Sequence, residues 1–150
     1  MKKFILITMF VAAVAGLWVQ SCATAEKLAG SSGQVNPIMG TWQLAMYKYG
    51  SSASSFIKVP AEAGRIKMIT DSHFIWVQYN KATGKITGSA GGTYTLTGNS
   101  YTESLDFGLG MDTYIGKDPV YTVKVEGDNL FLSGNLTEGY KIEEVWERVK

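Results

Sequence analysis

The sequence is poor in the residues that most often carry covalent or metal chemistry. It has one cysteine, Cys22, and one histidine, His73, among 150 residues. A single cysteine excludes a disulfide framework within the chain and any cysteine-rich metal site. One histidine excludes a multi-histidine metal cage and leaves little room for histidine-based catalysis. A net charge of +1 excludes a broad basic face, so we expect no nucleic acid partner.

The first 21 residues differ in composition from the rest of the chain. Lys2 and Lys3 precede an apolar run, Phe4–Val19, of 16 residues. A permanent transmembrane helix needs roughly 20 such residues, so this run is short for one. A positive start followed by a short apolar run is typical of a secretory signal peptide. We therefore predict a signal peptide at residues 1–21 and exclude it from the fold.

The signal peptide ends in Val19-Gln20-Ser21-Cys22, which resembles a bacterial lipobox. This resemblance implies cleavage before Cys22 and lipid anchoring of the protein through that cysteine, because several acyl chains together bind a membrane stably. Ala23 in place of an aspartate implies the outer membrane, with the side that the protein faces left open. The alternative is an ordinary signal peptide followed by a stray cysteine. Residues 22–36 have the composition of a flexible tether, which leaves residues 37–150 as the folded domain.

From Gly40 onward the chain consists of short β-type runs separated by Gly, Asn and Asp turn residues. The runs alternate between apolar and polar residues, as strands of an antiparallel sheet with one buried face do. If Lys85–Thr97 is one strand bent at its glycines, the count is eight, and a meander of eight strands can close into a barrel. If it is two strands, the count is nine, and the barrel either stays open or requires another pairing. We predict an all-β, eight-stranded antiparallel up-and-down barrel, whose interior is filled with side chains or holds one small ligand.

Two short motifs support this fold by resemblance. Gly40-Thr41-Trp42 resembles the Gly-x-Trp signature that opens the first strand of lipocalins, and Arg148 stands in the last strand. The resemblance implies a calycin-type barrel in which Arg148 contacts Trp42 through a cation–π interaction at the barrel floor. The chain from Gly40 to Lys150 is also similar to uncharacterised lipocalin-like lipoproteins of Gram-negative gut bacteria, a family that implies a fold and no agreed activity. The matching pieces are His73-Phe74-Ile75-Trp76, Gly91-Gly92-Thr93-Tyr94, Tyr101-Thr102-Glu103 and Glu144-Val145-Trp146-Glu147-Arg148.

Alternation also predicts which side chains point into the barrel. Two carboxylates, Glu103 and Glu144, fall on faces that otherwise consist of core residues. The inward set is predicted to include Trp42, Leu44, Met46 and Lys48 in the first strand, Tyr101, Glu103, Leu105 and Phe107 in the middle of the chain, and Tyr140, Ile142, Glu144, Trp146 and Arg148 in the last strand.

The two inward carboxylates have two interpretations. A charge on an apolar face is costly unless it is paired, so Arg148 could form an interior ion pair with Glu103 or Glu144 in a filled barrel. Alternatively, Glu103 is the polar anchor of a small-molecule cavity with aromatic walls. An acidic anchor suits a cationic or hydroxyl-bearing ligand. The predicted ligand-binding residues are Trp76, Tyr94, Glu103, Tyr121, Tyr140, Glu144 and Trp146.

We predict a lipid-anchored envelope protein that binds a small amphipathic or hydrophobic molecule without catalysis, cofactor or metal. The alternative is a filled barrel that serves as a structural accessory subunit of an outer-membrane complex through apolar side chains in residues 50–64 and 108–118. An enzyme is not expected. Asp71-Ser72-His73 has the residue types of a catalytic triad, but adjacent residues cannot converge as nucleophile, base and orienter. Glu103 and Glu144 could act as a glycosidase pair only at a separation that the sequence does not specify.

Overall fold

A computed structural model of the protein describes residues 36–150. The predicted signal peptide, the predicted lipidation site Cys22 and the predicted tether as far as residue 35 lie outside the described residues. A single turn of 3-10 helix, Asp112–Tyr114, stands between the sixth and seventh strands. The strands within residues 36–150 are β1 (Gly40–Tyr49), β2 (Ile57–Lys58), β3 (Ala63–Ile69), β4 (His73–Asn80), β5 (Ile86–Thr97), β6 (Ser100–Leu109), β7 (Val120–Glu126), β8 (Asn129–Thr137) and β9 (Tyr140–Arg148).

The long strands form a closed barrel. Each strand from β3 to β9 pairs antiparallel with its neighbour in the chain, β1 pairs with β3, and β9 returns to pair with β1. The two-residue strand β2 lies outside this count and pairs only with the second half of β1, at Met46 and Tyr47. Closure gives each of the eight long strands a partner on both sides. The β6–β7 contact is the shortest of these pairings that follow the chain, with three residue pairs between Ser100–Thr102 and Val120–Thr122. The structure confirms the predicted all-β, eight-stranded antiparallel barrel.

Strand β5 bends at its glycines without being interrupted. The register between β5 and β6 shifts between Gly91 and Gly92. A Cβ atom at Gly92 would overlap the carbonyl oxygen of Ser104 on β6, so only glycine allows this close approach. The choice between eight and nine barrel strands therefore resolves in favour of eight, because Ile86–Thr97 is one strand.

A one-residue bulge in β1 corrects the predicted inward face of that strand. The register with β9 skips Ala45, so Leu44 pairs with Trp146 and Met46 pairs with Val145. Trp42 and Leu44 point inward as predicted, but beyond the bulge the order reverses, because one extra residue moves every later side chain to the other face. The prediction that Met46 and Lys48 point inward is wrong. Tyr47 and Tyr49 take their places.

The same effect corrects the prediction for Phe107. The register between β6 and β5 skips Asp106, and Phe107 is 51% exposed. Its ring covers Gly91 on the outer surface, where a Cβ atom would clash with it. Tyr101, Glu103 and Leu105 precede the bulge and are buried as predicted.

The N-terminal segment closes one end of the barrel. Trp42 is fully buried there, and its Nε1 donates a hydrogen bond of 2.8 Å to the carbonyl oxygen of Ile38. The guanidinium of Arg148 lies over the Trp42 ring and donates to the carbonyl oxygens of Met39 at 2.8 Å and Pro37 at 3.0 Å. These contacts hold residues 36–39 across one end of the barrel. We call this end the closed end.

The longer connections lie at the opposite end, which we call the loop end. In an up-and-down barrel successive connections alternate between the two ends. The connections on the loop end are residues 50–62, 81–85, 110–119 and 138–139. In the part of the chain that the structure describes, no helix has the length and apolar character needed to cross a membrane.

Candidate functional site

A cavity of about 150 Å³ lies inside the barrel, towards the loop end. Its walls are apolar and aromatic for the most part, with four charged side chains among them. This make-up is typical of small-molecule sites, in which a few polar groups orient a ligand between apolar walls. The structure brings six of the seven predicted ligand-binding residues into this wall, namely Trp76, Glu103, Tyr121, Tyr140, Glu144 and Trp146.

The seventh predicted residue, Tyr94, does not line the cavity. Its hydroxyl donates to the carbonyl oxygen of Thr70 at 2.7 Å and accepts from Asn36 Nδ2 at 2.8 Å, both near the closed end. Burial raises the pKa of Tyr94 above its ordinary value. Tyr94 therefore ties the N-terminal segment to the barrel, and its ring packs against Tyr101 at a centroid distance of 5.3 Å.

Glu103 forms a buried ion pair with Lys67. Lys67 Nζ lies 2.5 Å from Glu103 Oε1, and the two residues are only 3% and 4% exposed. The Lys67 ammonium also lies 5.5–5.6 Å from the ring centroids of Phe74, Tyr101 and Trp146, within the range of cation–π attraction. The predicted interior ion pair of Glu103 is thus present, but its cation is Lys67. The prediction that Arg148 supplies it is wrong, because Arg148 stacks on Trp42 at the closed end.

Glu144 is the acceptor at the centre of a second polar cluster. Its Oε1 accepts from the Tyr49 hydroxyl and, at 3.3 Å, from Arg65 Nη1, while its Oε2 accepts from Trp146 Nε1 at 2.9 Å. Arg65 Nη1 also donates to the Tyr49 hydroxyl at 2.7 Å, and Arg65 Nε donates to Gln78 Oε1 at 3.0 Å. All the oxygens of Glu144 therefore have partners, and the guanidinium of Arg65 is held from two sides.

The charges in the cavity wall balance. Arg65 and Lys67 contribute two cations, and Glu103 and Glu144 contribute two carboxylates, each paired with one of the cations. Both cations project from the same face of β3, because they are two residues apart on one strand. The cavity therefore carries no net charge from its ionisable pairs, in contrast to the acidic anchor expected from Glu103 alone.

Three tyrosine hydroxyls near these pairs are held in the neutral form. Burial raises the pKa of Tyr49, Tyr101 and Tyr121 well above the ordinary tyrosine range. The nearby carboxylates raise these pKa values further, since Glu144 lies close to Tyr49 and Glu103 close to the other two. The Tyr49 hydroxyl is hydrogen-bonded to Glu144 and Arg65, whereas the Tyr101 hydroxyl is buried without a hydrogen-bond partner among the described residues.

The two cations of the site, Arg65 and Lys67, and Tyr49 were not among the residues predicted from the sequence. Strand β3 reads Ala-Gly-Arg-Ile-Lys-Met-Ile, and an apolar-inward reading places Ile66 and Met68 in the core. The structure has the opposite arrangement, with Lys67 buried and Met68 44% exposed. Ile69 could have indicated the correct face, because it lies two residues after Lys67 on the same face of the strand and is buried. Two inward carboxylates elsewhere in the chain also called for two inward cations.

A second cavity of about 320 Å³ adjoins the first and shares Tyr49 and Arg65 with it. It lies where β1 and β3 diverge. The two strands pair only as far as Gln43 and Ile66, and beyond that point β1 pairs with β2 instead. Arg65 is the one charged residue among the described residues that line this cavity. Its other lining residues are Leu44, Tyr47, Val59, Pro60, Ala63, Gly64 and Gln78.

The turn Asp71-Ser72-His73 and possible metal ligands also bear on the chemistry. At the turn Asp71-Ser72-His73, the Ser72 Oγ contacts His73 Nδ1 at 2.8 Å and Asp71 Oδ1 at 3.3 Å. In a catalytic triad the acid orients the histidine, whereas Asp71 contacts the serine here, and all three residues are exposed. Within residues 36–150, no three His, Cys, Asp or Glu side chains form a group that could hold a metal ion.

The sequence of residues 37–150 matches the family model described as Domain of unknown function (DUF4488). The chain belongs to this family. No match is found among curated proteins. DUF4488 thus supplies a family for the barrel without assigning chemistry to the cavity.

Two solved structures are similar to this DUF4488 barrel. A lipocalin-like protein from Bacteroides uniformis ATCC 8492 superposes with a TM-score of 0.52 at 23% identity, over 74% of this chain and 97% of that one. An uncharacterized protein from Bacteroides eggerthii DSM 20697 gives a TM-score of 0.49 at 18% identity, over 74% of this chain and 98% of that one. The first likeness shows that the DUF4488 chain has a lipocalin-like fold.

Proposed function

We propose that the protein binds a small amphipathic or hydrophobic molecule, without catalysis, in the cavity of its lipocalin-like barrel. The observation that carries this proposal is the charge-balanced cavity with aromatic walls between Trp76, Tyr121 and Trp146. Apolar side chains would fill the interior without the free-energy cost of burying charge, so the buried Lys67–Glu103 pair and the partly buried Arg65–Glu144 pair at the edge of an open space favour a binding role. Polar pairs that face a cavity can orient a ligand.

The size of the cavity limits the ligand. Typical sites for drug-sized molecules measure about 300–1,000 Å³, whereas an apolar cavity of about 150 Å³ holds benzene. The inner cavity is also about 150 Å³, so it accommodates a single ring or a group of similar size. A larger ligand would extend past Tyr49 and Arg65 into the second cavity of about 320 Å³.

The location that we propose is the cell envelope, with the barrel anchored to the outer membrane through Cys22. Support comes from the sequence Val19-Gln20-Ser21-Cys22 at the end of the apolar run. Residues 22–36 would then separate the acyl chains from the barrel. A ligand-binding barrel on such a tether could sample molecules close to the membrane surface.

Native mass spectrometry of the full chain, purified from its own host, tests ligand binding. We expect a small molecule to accompany the parent protein and to be lost on Trp76→Ala, which removes an aromatic wall of the cavity. Phe131→Ala is the matched control, because Phe131 is a partly exposed aromatic residue outside the cavity wall, on β8. Loss of the molecule from both variants, or its absence from the parent protein, would contradict the proposal.

The second candidate is an accessory subunit of an outer-membrane complex. It is favoured by exposed apolar side chains at the loop end, among them Ile57 at 52% and Leu109 at 53% exposure. Apolar side chains on a surface mark contact sites when they lie close together. This candidate predicts that Ile57→Ser and Leu109→Ser leave ligand retention unchanged and shift the mass of the envelope complex on native gels.

A further inference from the structure

The Lys67–Glu103 pair has hydrogen-bonding capacity that the barrel does not use. An ammonium group has three donors, and Lys67 Nζ has one acceptor among the described residues, Glu103 Oε1. The bond from Lys67 Nζ to Oε1 is the side-chain hydrogen bond that Glu103 accepts within residues 36–150, and the buried Tyr101 hydroxyl beside Glu103 has no partner there either. Both residues line the inner cavity. The other two N–H donors of Lys67 lie near aromatic rings and have no hydrogen-bond acceptor among the described residues, so they and Glu103 Oε2 can serve a molecule that enters the cavity.

The charge balance of the cavity excludes a charged ligand as the best fit. Each cation in the wall already has its carboxylate, Lys67 with Glu103 and Arg65 with Glu144. A charged ligand would enter a desolvated space without a free counter-ion, or it would have to break one of these pairs. Both alternatives cost free energy, so the site favours an uncharged ligand.

A hydroxyl group matches the unused capacity. A hydroxyl both donates and accepts, so it can accept from Lys67 Nζ and donate to Glu103 Oε2 without disturbing the ion pair. Hydrogen bonds to charged groups are among the stronger ones in proteins. A purely apolar ligand would leave the same donors and acceptor unsatisfied next to it.

Resting on the proposed function, we propose that the inner cavity binds an uncharged, single-ring compound whose hydroxyl group bridges Lys67 and Glu103. The ring size follows from the volume of about 150 Å³. The aromatic residues Trp76, Tyr121 and Trp146 supply the walls against which such a ring packs. This assigns a ligand class to the site and a recognition role to its ion pair.

Four probes with the same ring and different head groups test the proposal: benzyl alcohol, toluene, benzylamine and benzoate. Ligand-observed NMR on the full chain in detergent, with detergent alone as the blank, measures the affinity of each at pH 7. We expect benzyl alcohol to bind about tenfold more tightly than toluene, since one well-placed hydrogen bond to a charged group is worth that ratio. Benzylamine and benzoate, which are charged at this pH, should bind more weakly than benzyl alcohol.

Variants of the pair separate recognition from packing. Glu103→Gln leaves the charge of Lys67 unbalanced, so the preference should move from benzyl alcohol towards benzoate. Lys67→Met combined with Glu103→Leu removes both charges and both hydrogen-bonding groups, and it should bring benzyl alcohol down to the affinity of toluene. Met68→Ala, on the outer face of the same strand, is the matched control and should leave the order of the four probes unchanged. Thermal unfolding shows which variants fold, and the charge-free double variant decides the matter if Glu103→Gln does not.

The outcomes distinguish this inference from the proposed function. If toluene binds and benzyl alcohol gains nothing over it, the hydroxyl bridge is wrong and the binding function stands. Equal or tighter binding of benzylamine or benzoate to the parent protein would overturn the inference in the same way. If none of the four probes binds, the inference fails, while the proposed binding function is decided separately by whether a molecule accompanies the parent protein in native mass spectrometry.

Discussion

The guanidinium carbon of Arg148 lies 4.0 Å from the centroid of the Trp42 ring, at the closed end of the barrel. Gly40 completes this contact. Its φ is +133°, and a Cβ atom at that position would lie 2.5 Å from Arg148 Nη1. The glycine of the Gly-x-Trp motif is therefore required by the space that the guanidinium occupies as well as by its backbone conformation. The motif and the arginine in the last strand form one physical unit.

We predict that Arg148→Lys destabilises the protein by about 1–2 kcal/mol. Lysine keeps the charge, but it loses the planar contact with Trp42 and the forked hydrogen bonds to the carbonyl oxygens of Pro37 and Met39. Urea unfolding followed by tryptophan fluorescence measures the change. Lys150→Ala is the control, because Lys150 forms an exposed pair with Asp128 and should leave the free energy of unfolding unchanged. Equal stability of Arg148→Lys and the parent protein would show that charge alone closes this end.

The fold could be predicted because its signals are local. Turn residues separate the strands, and alternation within each strand shows that one face is buried. In the first and sixth strands the predicted faces were wrong beyond a bulge, at Met46 after Ala45 and at Phe107 after Asp106. A single inserted residue reverses all that follows it, and nothing in the composition around Ala45 marks the insertion.

The site could be predicted in part, for a related reason. The aromatic and acidic residues lie on faces with clear alternation, so six of the seven predicted residues line the cavity. Lys67 and Arg65 were not predicted to line the cavity, because β3 also has apolar residues on its outer face, Ile66 and Met68. Hydrophobicity alone assigns such a strand to the wrong side, and only the tertiary need to balance two buried carboxylates corrects it.

Removing one member of the buried ion pair should cost more than removing both. We predict that Lys67→Met destabilises the protein by roughly 3–5 kcal/mol, because it leaves the carboxylate of Glu103 buried without a partner. Adding Glu103→Leu should recover most of that loss, since two apolar residues can fill a similar volume. Urea unfolding of the parent, both single variants and the double variant completes the cycle. A double variant as unstable as the sum of the single variants would contradict a direct coupling between the two residues.

Alkaline unfolding should report the buried tyrosines. The pKa of Tyr49, Tyr101 and Tyr121 is raised in the folded state, mainly by burial, above the value of about 10 in the unfolded chain. A raised pKa means that the folded state holds its protons more tightly, so this contribution to stability is complete below pH 10 and is lost as the pH rises further. We predict that these three tyrosines ionise only as the barrel unfolds.

The tyrosinate absorbance and the circular dichroism, recorded together during an alkaline titration, check this prediction. The two signals should include a common cooperative step above pH 10. Tyr121→Phe removes one of the three groups and should move that step to higher pH, whereas Tyr140→Phe, at an exposed position, should not. Ionisation of all eight tyrosines before any loss of structure would contradict the prediction.

The proposed membrane anchor depends on a single side chain. We predict that Cys22→Ser moves the protein from the membrane fraction to the soluble fraction of host cells and abolishes labelling by an alkyne-tagged fatty acid, because serine cannot form the thioether. The barrel does not include Cys22, so ligand retention by native mass spectrometry should survive the substitution. Ser21→Ala is the control, since alanine also meets the need for a small residue before the cysteine. A Cys22→Ser protein that stays with the membrane without the label would indicate an uncleaved signal peptide, and the tether would then begin as a membrane segment.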